Sequence, residues 1–428
     1  MNDHTIEPVR LVIAGAGGFA GSITDLVLRT GSSCQPAVQL VGVAEPDTTT
    51  HARRLAELRQ RGVVTRSSLD ELLADPAVEA VWLPVPIPLH RPFTERAVAA
   101  GKAVLVEKPA AGTVQDVDAM ITARDRARVP VAVGFQHMYD PLTTELKRRL
   151  IAGRLGTIRH AVLHACWPRS EQYYRRCNWA GRFRQGDTWV MDSPANNALA
   201  HYVNLTLFFL GSTLATSATP ERVEVELYRA HAIENYDTIS LRAHLAGGAT
   251  LLVLLTHACR DNHNPILRLE GTAGRLAWTG AGVDLETGGG AGRIVASADL
   301  GLEVVGHFAR LVRGLPDETR VGSVLETART QVLVVNAASE ATSIRPVPDA
   351  QVSRFENQGE TVVAITGIES AITHCANHRQ MLHESGLLPF THPAGSLDMR
   401  QYRSFAGPNL SNPSRVPGID PRGTDAGS

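Results

Sequence analysis

Cysteine is scarce and unpatterned. Cys34, Cys166, Cys177, Cys259 and Cys375 lie far apart, with no CxxC among them. An odd, scattered set of this kind supports neither a disulfide framework nor a zinc ribbon. An excess of one charge is also missing: 42 Lys and Arg face 43 Asp and Glu, a net charge of −1, and no long basic run occurs. That removes the electrostatic footprint of nucleic-acid binding and of membrane-surface attachment. No apolar stretch reaches the length of a membrane span. The opening Met1-Asn-Asp-His-Thr-Ile-Glu-Pro8 carries neither a basic nor an apolar leader region, so a cytoplasmic protein is expected. No internal repeat or low-complexity block is visible. What the chain does have is length: 428 residues allow two domains with ample core.

The most informative stretch comes early, at Leu11-Val-Ile-Ala-Gly15-Ala-Gly17-Gly18-Phe19-Ala20-Gly21. A short apolar run bounded by glycine predicts a buried parallel strand. The residues from Gly21 to Arg29 have helical spacing, with Ile23, Leu26 and Val27 on one side. Strand, Gly-rich turn and helix form the context in which G-x-G-x-x-G or A marks a dinucleotide fold. Gly15 allows the tight turn, Gly17 removes a Cβ from the path of a pyrophosphate, and Ala20 lets helix and strand approach. The helix N-terminus then faces the phosphates. The next strand, Val38–Ala44, ends in Glu45, placed to accept hydrogen bonds from the adenosine ribose. Its charge would repel a 2′-phosphate, favouring NAD over NADP. Arg53 and Arg54 could offset that repulsion, and a simple helix-capping role for Glu45 stays open.

Further along, Val78–Leu83 reads as a strand running into Pro84-Val-Pro-Ile-Pro-Leu-His90. Three alternating prolines fit neither helix nor ladder and make a stiff loop at a strand's C-terminal end, where α/β sheets place ligands. Ala103-Val-Leu-Val-Glu107-Lys108-Pro109 follows. A lysine ending a buried strand is costly unless paired or used, and Pro109 restricts its backbone and could form a cis bond.

Taken together, Gly15–Ala20, the Pro86…His90 loop, Glu107-Lys108-Pro109 and Val133-Gly-Phe-Gln136 with Asp140-Pro141 resemble the glucose–fructose oxidoreductase/inositol dehydrogenase/MocA family. The resemblance implies an N-terminal α/β Rossmann domain and a C-terminal α+β domain with an open, mostly antiparallel sheet. It implies NAD(P)-dependent hydride transfer at a sugar or cyclitol carbon. Domains are placed at 1–134 and 135–390, with an irregular tail at 391–428. The second half reads accordingly. A linking helix at Pro141–Ala152 precedes strand-like runs at Ile158–Trp167, Val223–Arg229, Thr238–Leu245, Thr250–His257, Leu267–Glu270 and Arg275–Trp278. Such a sheet has one packed face and one free for another subunit, so a homo-oligomer (dimer or tetramer) is expected. Gly288–Gly292 reads as a hairpin-like loop. Helices are expected at Val304–Arg313, Val324–Ser339 and Ile368–Ser385, and the tail is expected to be disordered or wrapped on another subunit.

The family helix carries Asp-x-x-x-His-x-x-Asp. Here His201 matches the His, Asn197 stands at the first Asp and Asn204 at the last. An amide cannot act as a base but can orient a hydroxyl, which leaves His201 as the proton acceptor, an imidazole suited to neutral pH. Lys108 is the cation that stabilises developing alkoxide. The resemblance assigns catalysis to Lys108, His201 and Asn197. Cofactor contacts fall to Gly15, Gly17, Gly18, Phe19, Ala20, Glu45, Pro86, His90, Glu107, Lys108 and Gln136. Substrate contacts fall to Tyr174, Arg175, Trp179, Arg182, Asn197 and His201. Tyr173, Tyr174 and Trp179 can stack on a sugar ring, and Arg175, Arg176 and Arg182 can bind hydroxyls or an acidic group; a solvated arginine-rich loop is the plainer alternative. His164/Cys166, His257/Cys259 and His374/Cys375/His378/His383 lack an acidic partner at motif spacing, and no metal is expected. Two other functions stay open: a glycosidase or lyase using transient oxidation by retained NAD, and a nicotinamide-binding regulator without turnover.

Overall fold

The computed structural model describes residues 6–295 and 299–411. Contacts divide them into two compact units. The first holds the described residues up to 111, then 116–148 and 299–329; the second holds 112–115, 149–295 and 330–411. The contacts thus divide the chain elsewhere than at residues 134 and 390. The reason lies in the first unit, where the chain returns late. The helix Leu300–Val312 docks on the helix Gly18–Thr30, Arg313 binds the Glu79 carboxylate, and Val324 bridges Ala132.

The first unit is built on a six-stranded sheet of β1 (Val9–Ala14), β2 (Val38–Ala44), β3 (Val64–Arg66), β4 (Ala80–Leu83), β5 (Ala103–Val106) and β6 (Val131–Val133). Every pairing is parallel, in the order β3-β2-β1-β4-β5-β6. This is the doubly wound Rossmann order, with the ligand crevice where the winding reverses, outside the C-terminal end of β1. The central strands are buried along their length (Leu11, Val12, Ile13; Ala80 to Leu83; Val104 to Val106) because helices cover both faces.

In the second unit β7 (Ile158–Cys166) lies at the heart of a mixed sheet. A two-residue hairpin, β8 (Arg184–Gln185) and β9 (Thr188–Trp189), stands apart. The sheet adds β10 (Pro220–Arg229), β11 (Thr238–Leu245), β12 (Thr250–Thr256), β13 (His263–Gly271), β14 (Gly274–Thr279), β15 (Gly282–Thr287) and β16 (Gly290–Val295). β17 (Arg345–Pro346) ends one side, β18 (Val352–Asn357) and β19 (Glu360–Ile365) form a separate hairpin, and β20 (Gly395–Asp398) pairs β10. Only β7–β12 and β10–β17 run parallel; the remaining ladders are antiparallel. All six expected strands form. The Gly288–Gly292 loop, read as hairpin-like, is the turn and start of the hairpin β15–β16.

One face of this sheet takes the helix Ala200–Leu210 on β7 and β13. That helix is apolar nearly all round and buried from Val203 to Phe209. The opposite face, expected to be free for another subunit, is covered in part. The helix Ile368–His378 lies across β7 and β12, joining Val162, Cys166, Leu252 and Leu254 to Ile368, Ala371, Ile372 and Cys375 in one core. Arg268 to Asn377 (3.0 Å) and Arg379 to Glu270 (2.8 Å) bind its end to β13. The helix expected to continue to Ser385 breaks after His378, where Arg379 turns left-handed at φ 57°. The tail is corrected too: residues 395–398 extend this chain's own sheet, and Phe405 N–H donates to Gln115 Oε1 (3.1 Å). The rest of the tail, 412–428, lies outside the described residues.

Candidate active site

At the end of β1 the chain turns at Gly15, whose φ is +102° and N–H donates to Ala44 O (2.7 Å). A Cβ there would stand 2.9 Å from Ala20 Cβ, so glycine at 15 and a small residue at 20 depend on each other. The helix from Gly18 has Gly17 as its N-cap, no capping side chain and no acid in its first turn. Its free N–H groups are therefore available to an anion. Glu45, buried, accepts Ala16 N–H (2.8 Å) and Asp47 N–H (2.9 Å), which fixes its carboxylate at the rim of a cleft of about 450 Å³. Gly15, Gly17, Gly18, Ala20, Glu45 and Pro86 all line this cleft. Phe19 is 57% exposed beside it. Of the compensating cations weighed above, Arg53 bonds Glu57 (3.1 Å) and Arg54 pairs with Asp25. The cleft receives His51 and Arg96 instead. His51 lies where a Gly17 Cβ would point, 4.0 Å from Glu45.

The other first-unit candidates sit just behind. Trp82 Nε1 donates to Glu107 Oε1 (3.0 Å), and burial raises the Glu107 carboxyl above its ordinary value. Gly134 is needed here, since a Cβ would meet both Glu107 oxygens at 2.7 Å. Lys108 is half-buried, and the Lys108–Pro109 bond is cis. His90 is buried, with Nδ1 2.8 Å from Pro109 O and Nε2 2.8 Å from Val85 O. It ties the proline-rich loop to the segment after Lys108, and burial holds its imidazole below the usual value. Gln136 is exposed at the start of a short turn.

The second unit's candidates gather before and within the 200–210 helix. That helix begins at Ala200, so Asn197 occupies the preceding turn while His201 lies in its first turn. Asn197 Nδ2 donates to Asp192 Oδ1 (2.6 Å), and Gly181 N–H donates to Asp192 Oδ2 (2.6 Å). The amide's orientation is thereby set, its carbonyl turned from Asp192. Family spacing points to Asn197 and leaves Asp192 unmarked; the carboxylate missing at 197 stands five residues upstream. Asn204 is fully buried. Tyr174 packs against His231 (4.9 Å between rings). Arg175 pairs with Glu171 (3.0 Å) and Arg182 reaches Glu234 (4.0 Å). Trp179 lies under Arg176. Among the described residues no three His, Cys, Asp or Glu side chains converge as a metal site, and no helix is long and apolar enough to cross a membrane.

Comparison with known proteins gives the family and the fold. A family model described as an oxidoreductase family with an NAD-binding Rossmann fold matches residues 9–135, and the GFO/IDH/MocA C-terminal domain matches 143–277. A dTDP-3,4-didehydro-2,6-dideoxy-alpha-D-glucose 3-reductase of Streptomyces violaceoruber is 32% identical over 163 residues, covering 37% of this chain and 45% of that protein. An inositol 2-dehydrogenase of Rubrobacter xylanophilus is 30% identical over 172 residues, covering 38% and 45%. The matched stretch spans less than half the length of these relatives. Among solved structures, levoglucosan dehydrogenase in complex with NADH and levoglucosan superposes with a TM-score of 0.65 at 16% identity, covering 77% of this chain and 96% of the other.

Proposed function

Because this chain belongs to the glucose–fructose oxidoreductase/inositol dehydrogenase/MocA family, we propose that it moves a hydride between NAD and a secondary alcohol or ketone of a sugar, cyclitol or sugar-containing compound. The observation that carries the reading is the first-unit cleft: a glycine turn, an uncapped helix start and a fixed carboxylate at one rim. These residues fit a dinucleotide, with N–H groups for the pyrophosphate and Glu45 for the ribose diol. NAD, when bound, supplies the hydride acceptor. In this proposal Lys108 holds its positive charge against the substrate oxygen as alkoxide character develops. His201 takes the hydroxyl proton, and the Asn197 carbonyl, held by Asp192, accepts from a neighbouring hydroxyl and fixes the ring's orientation. We also propose a cytoplasmic homo-oligomer, dimer or tetramer, which sedimentation of the purified chain reads directly.

The test is NADH absorbance with the protein in excess over a panel of sugars and cyclitols. NADH formation with at least one member is expected. Saturable NADH binding with no turnover on any member, in either direction, overturns the proposal. Glu45→Gln gives a second check on the cofactor: it should weaken NADH about tenfold, the ~1.4 kcal/mol of one hydrogen bond to a charged acceptor, and narrow the preference over NADPH. Fluorescence titration with both nucleotides measures this.

A further inference from the structure

Two arginines of the second unit lie over one ring, and neither forms an ion pair among the described residues. Arg169 lies over Tyr173 at 4.7 Å and over Trp167 at 5.7 Å. Arg176 lies over the same Tyr173 at 3.6 Å and over Trp179 at 5.3 Å. Arg169 Nη1 donates to Pro168 O (3.2 Å) and its side chain also bonds the Tyr173 hydroxyl, while Arg176 Nη1 donates to Tyr173 O (2.7 Å). Arg169 Nε is buried with no partner among the described residues. Nearby arginines behave otherwise, Arg175 pairing with Glu171 and Arg182 reaching Glu234. Arg169 is half-buried and Arg176 exposed, so the cost of holding a guanidinium without a counter-charge falls mainly on Arg169. A ring quadrupole offsets only part of that, ~0.5–2 kcal/mol per contact.

Arg169 is also firmly mounted. Its N–H donates to His257 O (3.1 Å), and its carbonyl lies 3.0 Å from His231 Nε2. His257 stays neutral, pushed down to about 3 by burial first and the Arg169 charge next. The acid facing Tyr173 is Asp192, whose oxygens take Gly181 N–H and Asn197 Nδ2. Trp167, under Arg169, packs edge-on against Tyr202 (5.8 Å), the residue after His201. The cationic pair therefore sits within one ring of the helix start that carries the proposed base.

We infer that Arg169 and Arg176 form a subsite for an anionic substituent of the substrate, so that the sugar is an acid rather than a neutral polyol. A planar carboxylate suits the fork formed by Arg169 Nε and its neighbouring amine, bidentate and charge-assisted. The inference rests on the oxidoreductase reading for its location beside His201, but not for its test.

That test compares matched pairs on the full chain: D-glucuronate with D-glucose, D-galacturonate with D-galactose, and D-glucose 6-phosphate as the phosphate arm. Binding is read by calorimetry in the presence of NADH, and turnover by absorbance. The uronates should bind at least tenfold more tightly than their neutral partners, with the preference shrinking as salt rises. In R169Q and R176Q the acid-to-neutral ratio should fall towards one, while R169K keeps part of it; melting curves confirm that each variant is folded. Equal affinities within the pairs, a preference surviving both Gln variants, or no uronate bound at about 10 mM overturns the inference. Tighter binding of the phosphate than of either uronate replaces carboxylate by phosphate and overturns the sugar-acid assignment. A uronate preference without NADH formation upholds the subsite and defeats the oxidoreductase reading. Equal turnover of acid and neutral sugars does the reverse.

Discussion

Lys108→Ala is expected to lower kcat by about 10³-fold, ~4 kcal/mol of transition-state stabilisation, while NADH binding changes little. The asymmetry follows from where the residue sits. The proposed dinucleotide cradle lies at Gly15 to Ala20 and Glu45, at the ends of β1 and β2, whereas Lys108 follows β5 two strands from β1 in the sheet. Its neighbours lie outside the lining of that cleft: Glu107 fixed by Trp82, and the Pro109 carbonyl against His90. Removing the amine leaves these intact, so the loss should fall on the chemical step. His201→Ala should cost about 10²–10⁴, the range for a positioned general base. Stopped-flow hydride transfer with fluorescence titration of NADH separates the two effects. A Lys108→Ala enzyme within tenfold of the parent, or one that no longer binds NADH, would remove Lys108 from the reaction.

The parts of this molecule that could be read from sequence are those whose cause is local. β1 is an apolar run because helices cover both its faces, and the glycines after it stand where backbone geometry forbids a side chain. Both facts leave residues at fixed spacing. The strands of the second unit show as alternation for the same reason. What stayed hidden depends on contacts between residues far apart in the chain. Nothing near residue 300 announces that its helix returns to pack on residues 18–30. A helix is legible at Ile368–Ser385, yet not that Ile368, Ala371, Ile372 and Cys375 lie on β7 and β12, which covers part of a face expected to be free. The site follows the same rule. Glu45 and Lys108 are marked by strand ends, and His201 by a family spacing. Asp192 became visible only through its 2.6 Å bond to Asn197, and Arg169 only through a buried Nε with no hydrogen-bond partner among the described residues. An unpaired charge is a property of surroundings, which no spacing encodes.

Asp237→Ala should be the most destabilising single change in the second unit, at about 3–5 kcal/mol. Asp237 is fully buried just before β11. Its Oδ2 accepts Ala230 N–H, His231 N–H and His231 Nδ1, each at 2.8 Å, and its Oδ1 accepts the Thr238 hydroxyl (3.1 Å). Alanine would strand all four donors where water cannot replace the carboxylate. Burial alone would raise this carboxyl, but its bonds to His231 and the neighbouring N–H groups outweigh burial and hold it below the ordinary value. A lowered folded value means the folded state keeps the carboxylate charged where the unfolded chain would protonate it. Its contribution is therefore complete at neutral pH and is lost as pH falls below about 4, the unfolded value, towards the lower folded one. Calorimetric melting from pH 7 downward should show a steepening loss in the parent that Asp237→Ala lacks. The consequence reaches the cationic subsite, because His231 spans Asp237 and the Arg169 carbonyl. Asp237→Asn, which keeps the shape but presents an amide to those donors, should loosen Arg169 and weaken uronate binding before the fold is lost. A variant that melts with the parent at every pH would show that this buried carboxylate holds nothing in place.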